Sequence, residues 1–316
     1  MTPKSIFANL IRRDDGSFST AYGPFILQSA LQPVFRSVAG QALQIEAFEG
    51  LVRTTRDNEP VAPGDFFALV DGQDIAAIDS IARTIHILNT GRLNRSQAKI
   101  FVKFQPGIVR TPLEMRQEVE RIKLASHEAG LGVQRIVCEI RESVQADKDT
   151  IAAFITHMRD IGFMVAIDDY GAGQSDLELL KRIRPDYVKF EPRWVRDFLD
   201  NQAGTALLRV IVQQMLDDGI EPIIAGLEEE WQVEACEDLG VSLIQGYALA
   251  RPELAPTSFD QTFPERPVQT SSALHTTSRF EIPDTPASPL TRTLSAPAPS
   301  PLKRARAFGK RNSGLL

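Results

Sequence analysis

Two adjacent aspartates, Asp168 and Asp169, are the residues of this chain whose type and position best suit chemistry. They follow an apolar run, Phe163–Ile167, that is typical of a buried strand, and they precede a loop with two glycines. Paired carboxylates at the end of a buried strand can hold cations close together, while glycines let the backbone approach a ligand. The pattern indicates metal-assisted phosphoryl chemistry. The simpler alternative is that one aspartate caps the helix predicted from Asp176.

Acidic and polar residues also stand at or near the ends of other predicted strands. They are Glu49, Glu139, Lys189, Glu228 and Gln245. In a barrel of parallel strands the carboxyl ends converge on one face, and that face carries the active site. These carboxylates and a lysine at such ends therefore favour a shared site over the capping alternative.

The elements that must position these residues alternate along the chain from about residue 25 to residue 252. The predicted strands are Phe25–Phe35, Leu43–Val52, Ile100–Phe104, Ile136–Ile140, Phe163–Ile167, Tyr187–Phe190, Pro222–Ala225 and Leu243–Gln245. The predicted helices are Ile75–Asn89, Leu113–Ala129, Asp149–Asp160, Asp176–Arg182, Ala206–Asp218 and Glu229–Leu239. Eight strands with intervening helices favour a closed α/β barrel of the TIM type, and an open doubly wound sheet is the alternative. The connection from Phe35 to Leu43 is too short for a crossover helix, so the first strand is predicted to be antiparallel to the second.

Composition limits the classes of function. The chain has 316 residues, 43% of them hydrophobic, and a net charge of -6. A chain with this acidic net charge is not expected to bind nucleic-acid polymers broadly, because such binding needs a basic face. Cys138 and Cys236 are read as buried residues of a reducing compartment. No apolar run reaches the roughly 18 residues of a membrane-spanning segment, so we expect a cytoplasmic chain without a transmembrane segment.

The sequence divides into three parts by composition. An N-terminal segment, 1–24, precedes the predicted barrel domain, 25–256. Residues 257–316 hold eight of the twenty prolines and sixteen Ser or Thr, with a basic cluster near the end. A segment of that kind buries too little apolar surface to offset its ordering entropy, so 257–316 is predicted to be a disordered tail.

Short motifs recur in order along the predicted barrel. They are Leu31-Gln32-Pro33, Glu49-Gly50-Leu51-Val52-Arg53, Pro63-Gly64-Asp65-Phe66-Phe67, Cys138-Glu139-Ile140-Arg141-Glu142-Ser143, Ile167-Asp168-Asp169-Tyr170-Gly171-Ala172-Gly173, Arg184-Pro185-Asp186-Tyr187-Val188-Lys189, Gly226-Leu227-Glu228, and Gln245-Gly246-Tyr247 followed by Arg251-Pro252. In order and spacing they resemble the EAL domain, the family of cyclic di-GMP phosphodiesterases, over roughly residues 25–252. Glu46 is not the signature glutamate, because only Glu49 keeps the four-residue step to Arg53.

The resemblance implies a site in which two Mg²⁺ or Mn²⁺ ions bind cyclic di-GMP and activate a water that opens the ring to linear pGpG. The metal ligands it implies are Glu49, Glu139, Asp168 and Asp169. The nucleotide-binding residues it implies are Gln32, Leu51 and Arg53, and the catalytic residues are Lys189, Glu228 and Gln245. These types suit the roles, because hard cations bind oxygen ligands and arginine binds phosphate with two parallel hydrogen bonds.

Two departures from the family pattern fall at the chemistry, and a third, Glu191 in place of Asp, keeps its charge. Lys103 stands where the family has a metal-binding asparagine, and Ala225 replaces a glutamate near the attacking water. A protonated lysine has no lone pair to offer a metal ion. At ~4 Å and an effective dielectric of about 20, it repels a divalent cation by about 8 kcal/mol, twice the unit-charge value.

Two hypotheses follow from these departures. In the first, Lys103 neutralises the site carboxylates without Mg²⁺ or Mn²⁺, and a degenerate EAL protein acts by binding cyclic di-GMP, a protein partner, or both. In the second, the Lys103 side chain extends away from the carboxylates and the chain is an active phosphodiesterase. A homodimer is compatible with either hypothesis.

Overall fold

The structure is a computed structural model of the chain and describes residues 9–104, 111–141, 148–172 and 177–266. Parts of two sequence motifs, at Glu142-Ser143 and at Gly173, lie outside these ranges. So does the predicted tail beyond residue 266.

One sheet contains the strands of the described ranges, and helices follow most of them. The strands are β1 (Leu10–Arg12), β2 (Phe18–Tyr22), β3 (Phe25–Arg36), β4 (Gln44–Arg56), β5 (Glu59–Val61), β6 (Lys99–Phe104), β7 (Ile136–Arg141), β8 (Met164–Tyr170), β9 (Tyr187–Phe190), β10 (Glu221–Leu227), β11 (Leu243–Gly246) and β12 (Glu253–Leu254). The helices are α1 (Pro63–Leu69), α2 (Ile75–Thr90), α3 (Pro112–Glu128), α4 (Lys148–Ile161), α5 (Leu177–Ile183), α6 (Pro192–Leu199), α7 (Gln202–Asp217), α8 (Glu230–Asp238) and α9 (Phe259–Thr262). Among the described residues, no helix is both long enough and apolar enough to cross a membrane.

Eight of the strands close into a barrel. β4 and β6 to β11 run parallel in sequence order, and β3 closes the ring by pairing antiparallel with both β4 and β11. The predicted modified TIM barrel with an antiparallel first strand is confirmed, and the open-sheet alternative is wrong. In the long β3–β4 ladder Gln32 lies opposite Glu49, which places two site candidates side by side.

The barrel interior is filled by an apolar layer with one residue from each of the eight strands. The layer is Val34, Ala47, Phe101, Val137, Ala166, Tyr187, Ile223 and Leu243. A larger cluster of buried side chains lies outside the barrel, between the strands and the helices. Strand residues alternate between these two environments, which is why the barrel strands read as nearly continuous apolar runs.

Residues 257–266 do not fit the tail assignment. They form α9 and pack on the barrel, where Phe259 is buried against Phe48 and Phe263 lies edge-on to Phe35. Arg95 donates hydrogen bonds to the carbonyl oxygens of Phe259 and Phe263, which fixes the turn after α9. The predicted boundary at residue 257 is therefore too early, because the tail's average composition masked two aromatic anchors.

A charged cluster at the amino end of β4 predicts how acid affects stability. Burial opposes ionisation of Glu46, but its ion pairs with Arg36 and Lys99 lower the pKa of Glu46 to about 2 from 4.5. A carboxylate with a lowered pKa adds stability above its unfolded-state pKa and loses it as the pH falls toward the folded-state value. Glu46→Gln should therefore lower the free energy of unfolding most at neutral pH. In urea titrations the difference from the unmodified chain should shrink between about pH 4.5 and pH 2.

The matched control is Glu59→Gln, at an exposed position of β5, which should follow the unmodified chain at every pH. A Glu46→Gln difference that stays constant from pH 7 to pH 3 would contradict the assignment of these ion pairs.

Candidate functional site

The candidate site is the interior layer directly above the apolar layer of the barrel. Side chains on a strand alternate, so the next interior residue lies two positions further on, toward the carboxyl ends of the parallel strands. We call this the site layer, and its residues are Gln32, Glu49, Lys103, Glu139, Asp168, Lys189, Ala225 and Gln245. All except Glu139 line an open cavity of about 360 Å³.

Lys103 lies at the centre of the site layer. Its Nζ is 2.9 Å from Glu49 Oε1, 2.9 Å from Asp168 Oδ2 and 3.4 Å from Glu139 Oε2. The ammonium group therefore bridges carboxylates from three strands, β4, β7 and β8.

The backbone of Lys103 accepts a hydrogen bond from a buried arginine, Arg83. The β4–β6 pairing ends at Glu49 and Phe101, so the carbonyl of Lys103 lies past the ladder with β4. Nη1 of Arg83, on α2, donates to this carbonyl oxygen at 3.0 Å, and the Arg83 guanidinium also pairs with Glu118 on α3. This network fixes the end of β6 from which the lysine extends.

Lys189 supplies a second ammonium group in the site layer. Its side chain is only 5% exposed, and its Nζ contacts Glu49 Oε2 at 2.9 Å and Glu139 Oε1 at 2.8 Å. Gln245 Nε2 also donates to Glu49 Oε2, at 3.0 Å. Glu49 thus receives donors on both of its oxygens, and the two lysines share Glu49 and Glu139 between them.

Asp169 faces the cavity because the strand is irregular there. Consecutive residues of a regular strand point to opposite faces, but Asp169 has a φ of 57° and the β8–β9 register shifts between Ile167 and Tyr170. Both Asp168 and Asp169 consequently line the cavity. Asp169 Oδ2 lies 2.7 Å from Nε of Arg141, a residue that the motif analysis did not single out.

A similar irregularity occurs in β10. Gly226 has a φ of 74°, the register with β11 shifts between Ile224 and Leu227, and both Ala225 and Gly226 line the cavity. Glu228 lies at the rim, where it is more exposed than the layer carboxylates and lies 3.9 Å from Arg196. The predicted catalytic Glu228 is therefore near the layer but does not belong to it.

The predicted nucleotide-binding residues lie in and above the site layer, on β3 and β4. Leu51 and Arg53 follow Glu49 by two and four residues on β4, so all three face the same side of the strand. Gln32 and Leu51 line the cavity. Arg53 lies one step further out, with Nη1 donating to the carbonyl oxygen of Val52.

Comparison with known proteins identifies this arrangement. Residues 26–252 match the sequence pattern of the EAL domain. The chain belongs to the EAL domain family.

Curated relatives of this EAL domain include enzymes and sensors. It is 22% identical over 234 residues to the cyclic di-GMP phosphodiesterase NbdA of Pseudomonas aeruginosa, covering 72% of this chain and 29% of that protein. It is 26% identical over 233 residues to the oxygen sensor protein DosP of Escherichia coli, covering 72% of this chain and 28% of that protein. The chain thus spans less than a third of the length of either relative.

Solved structures of the same fold include complexes with ligands. Klebsiella pneumoniae BlrP1 has been solved with cyclic di-GMP and either calcium or manganese. Each of these two structures is 26% identical to this EAL domain, with a TM-score of 0.63, over 72% of this chain and 56% of that one. The family therefore contains members that hold divalent cations together with cyclic di-GMP.

Charges in the site layer of this EAL domain depend on one another. Burial raises the pKa of Glu49, but the ammonium groups of Lys189 and Lys103 outweigh it and leave that pKa below its ordinary value. Burial and the charge of Asp168 raise the pKa of Glu139. Burial lowers the pKa of Lys103, but Glu139, Glu49 and Asp168 outweigh it and leave that pKa above its ordinary value. Both lysines of the layer are therefore charged, and their positive charges offset the negative charges of the carboxylates around them.

This set does not fit a divalent cation. Both oxygens of Glu49, both of Glu139 and Oδ2 of Asp168 already lie within 3.4 Å of an ammonium nitrogen. Within the described ranges, no three His, Cys, Asp or Glu side chains are placed to hold a metal ion. The carboxylates have the chemistry of metal ligands, but Lys103 lies at the point where they converge.

The motif Glu49-Gly50-Leu51 on β4 has glycine where the Glu-Ala-Leu motif that names the family has alanine. Gly50, on β4, packs against the ring of His86, which is buried on α2 and lies 2.7 Å from Ser29 Oγ through Nδ1. Burial lowers the pKa of His86 to about 3, so the ring is neutral. A histidine ring thus occupies the space that an alanine methyl group at position 50 would need.

Proposed function

We propose that this EAL domain binds cyclic di-GMP without divalent cations and does not hydrolyse it. The observation that carries the proposal is the position of the Lys103 ammonium group, within 3.4 Å of carboxylates on three strands. The fold and the named relatives support the choice of ligand. Mg²⁺ or Mn²⁺, expected from the family, has no role in this function.

Electrostatics favours lysine over a metal ion at this point. A cation that contacts the buried carboxylates of Glu49 and Asp168 at 2.9 Å offsets the repulsion between them, which would otherwise destabilise the layer. A divalent cation entering beside it would meet a repulsion of about 8 kcal/mol at ~4 Å and an effective dielectric of about 20. The carboxylates are thus stabilised without a cofactor.

The layer also lacks the glutamate that the family places near the attacking water. Ala225 has no acidic side chain, and Lys189 directs its ammonium group to Glu49 and Glu139. Proton abstraction requires a base within hydrogen-bond reach of the nucleophile. Hydrolysis therefore lacks an activating cation and the base that a glutamate at position 225 would supply.

Nucleotide binding depends on residues above the layer. Lys103 directs its donors to carboxylates, so it has little left for a phosphate, whereas the guanidinium of Arg53 contacts no carboxylate among the described residues. Arg53→Ala should weaken cyclic di-GMP binding about ten- to a hundredfold, the usual effect of one charge-assisted hydrogen bond. Isothermal titration calorimetry in EDTA measures this effect.

The matched control is Arg56→Ala, three residues along the same strand, where the arginine pairs with Asp57 at the surface. It should bind as the unmodified chain does. Binding that appears only after Mn²⁺ is added would contradict the proposal. Absence of binding at high micromolar nucleotide would leave the protein-partner function instead.

An active phosphodiesterase is the second candidate function. It is favoured by the 42% exposure of the Lys103 side chain, which leaves a path for the ammonium group into the cavity, and by the metal-bound relatives. Chromatography of cyclic di-GMP incubated with the chain and Mn²⁺ separates the two candidates, because only the enzyme yields pGpG.

A further inference from the structure

Arg141 lies in the interior layer directly above the site layer. It follows Glu139 by two residues on β7, so both side chains are on the interior face of the strand. Leu51 on β4 and Tyr247 just after β11 hold equivalent positions in this rim layer, and both line the cavity. Arg141 does not itself line the cavity, but its partner Asp169 does, so the guanidinium group lies beside the cavity mouth.

The contact with Asp169 uses one edge of the Arg141 guanidinium group. Nε lies 2.7 Å from Asp169 Oδ2, and the Arg141 side chain is 57% exposed. Within the described residues, the terminal nitrogens Nη1 and Nη2 contact no carboxylate. A paired Nε restrains the group and leaves the two terminal nitrogens available to a ligand.

The two lysines that line the cavity are already engaged. Lys103 has three carboxylate oxygens within 3.4 Å, and Lys189 has two within 2.9 Å. An anion entering the cavity meets ammonium groups that already contact carboxylates, and beside the cavity a guanidinium group whose terminal nitrogens contact none among the described residues. Planar guanidinium groups bind phosphate oxygens through two parallel hydrogen bonds.

We infer that Arg141 is a phosphate-binding residue of this site, oriented by Asp169 and contacting a phosphodiester of the ligand through Nη1 and Nη2. The inference rests on the proposed function, since it assigns the contact to cyclic di-GMP. Asp169 then serves as the partner that orients an arginine rather than as a metal ligand. The guanidinium group supplies the positive charge that the phosphate needs in the absence of a divalent cation.

Calorimetric titration of cyclic di-GMP in EDTA tests the assignment with three variants. Arg141→Gln should weaken binding about ten- to a hundredfold, as expected for one charge-assisted contact. Arg141→Lys keeps the charge but not the fork and should recover part of the loss. The double variant Arg141→Gln with Asp169→Asn removes both charges of the pair, so the net charge of the site is unchanged, and it should lose as much affinity as Arg141→Gln.

Arg182→Gln is the matched control. Arg182 lies on α5, away from the barrel mouth, is similarly exposed and also pairs with a carboxylate, that of Asp149. It should bind as tightly as the unmodified chain. Equal affinity for Arg141→Gln and Arg182→Gln would overturn the role of Arg141 while leaving the proposed function intact. Absence of binding by the unmodified chain would overturn both, and thermal melting of each variant checks that it is folded.

Discussion

Lys103→Asn is expected to make the stability of the barrel depend on divalent metal. Without the Lys103 ammonium group, Asp168 loses its ammonium partner and Glu49 and Glu139 keep only Lys189, and removing one partner of a buried ion pair costs up to about 3–5 kcal/mol. In EDTA the free energy of unfolding should fall by that amount. Mn²⁺ should restore it, because the asparagine oxygen and the freed carboxylates form an oxygen ligand set, and ligand at a hundred times its dissociation constant adds about 2.7 kcal/mol.

Lys99→Asn is the matched control for this experiment. Lys99 lies on the same strand, at its opposite end, and also pairs with a glutamate, Glu46. Its replacement removes an ion pair without opening a cluster of carboxylates, so Mn²⁺ should not affect the variant. Denaturant titrations of both variants with and without Mn²⁺ give the comparison. A Lys103→Asn variant as stable in EDTA as the unmodified chain would mean that Lys103 does not neutralise the layer.

Gly50→Ala, which restores the alanine of the family signature, is expected to destabilise this chain. A Cβ at position 50 would lie 2.5 Å from Cγ of His86, whose ring is buried and bonded to Ser29. Overpacking a buried site in this way costs about 1–3 kcal/mol, and the smaller conformational entropy of alanine in a strand offsets only about 0.5–1 kcal/mol of it. Urea denaturation should show a net loss of stability.

His86→Ala provides the control for the clash. In that background the methyl group at position 50 has room, so Gly50→Ala should cost less there than in the unmodified chain. A double-mutant cycle measures the difference as a coupling energy between the two positions. Additive effects of the two substitutions would show that the ring and the strand backbone do not constrain each other.

The barrel could be predicted from the sequence because apolar runs of strand length recur at regular spacing. Each run supplies an apolar interior residue and outward-facing residues that pack against the helices, so the eight predicted strands agree with β3, β4 and β6 to β11 within a few residues. The short edge strands β1, β2 and β5 were not predicted, since three to five residues carry too little alternation to be distinguished from turns. Residues 257–266 were assigned to the tail because the average composition of 257–316 is rich in Pro, Ser and Thr. That average hid Phe259 and Phe263, the two aromatic residues that anchor the segment to the barrel.

The candidate site was predicted in part. The sequence indicates that the ends of the strands converge, and the structure places Glu49, Glu139, Asp168, Lys189 and Gln245 in one layer with Lys103 among them. The sequence could not indicate the two strand irregularities that bring Asp169 and Gly226 to the cavity, because the positive φ values at these positions follow from tertiary packing. Arg141 was overlooked as part of a motif, although a charged residue two positions after Glu139 on a buried strand is a signal for the same face.

Thermal melting of the unmodified chain in EDTA and in Mn²⁺, beside Asp168→Asn, tests the central claim most directly. Lys103 occupies the place of the cation, so the melting temperature of the unmodified chain should be the same in EDTA and in Mn²⁺, and cyclic di-GMP should remain intact in both. A large Mn²⁺-dependent rise in melting temperature that disappears in Asp168→Asn, together with conversion of cyclic di-GMP to pGpG, would contradict it.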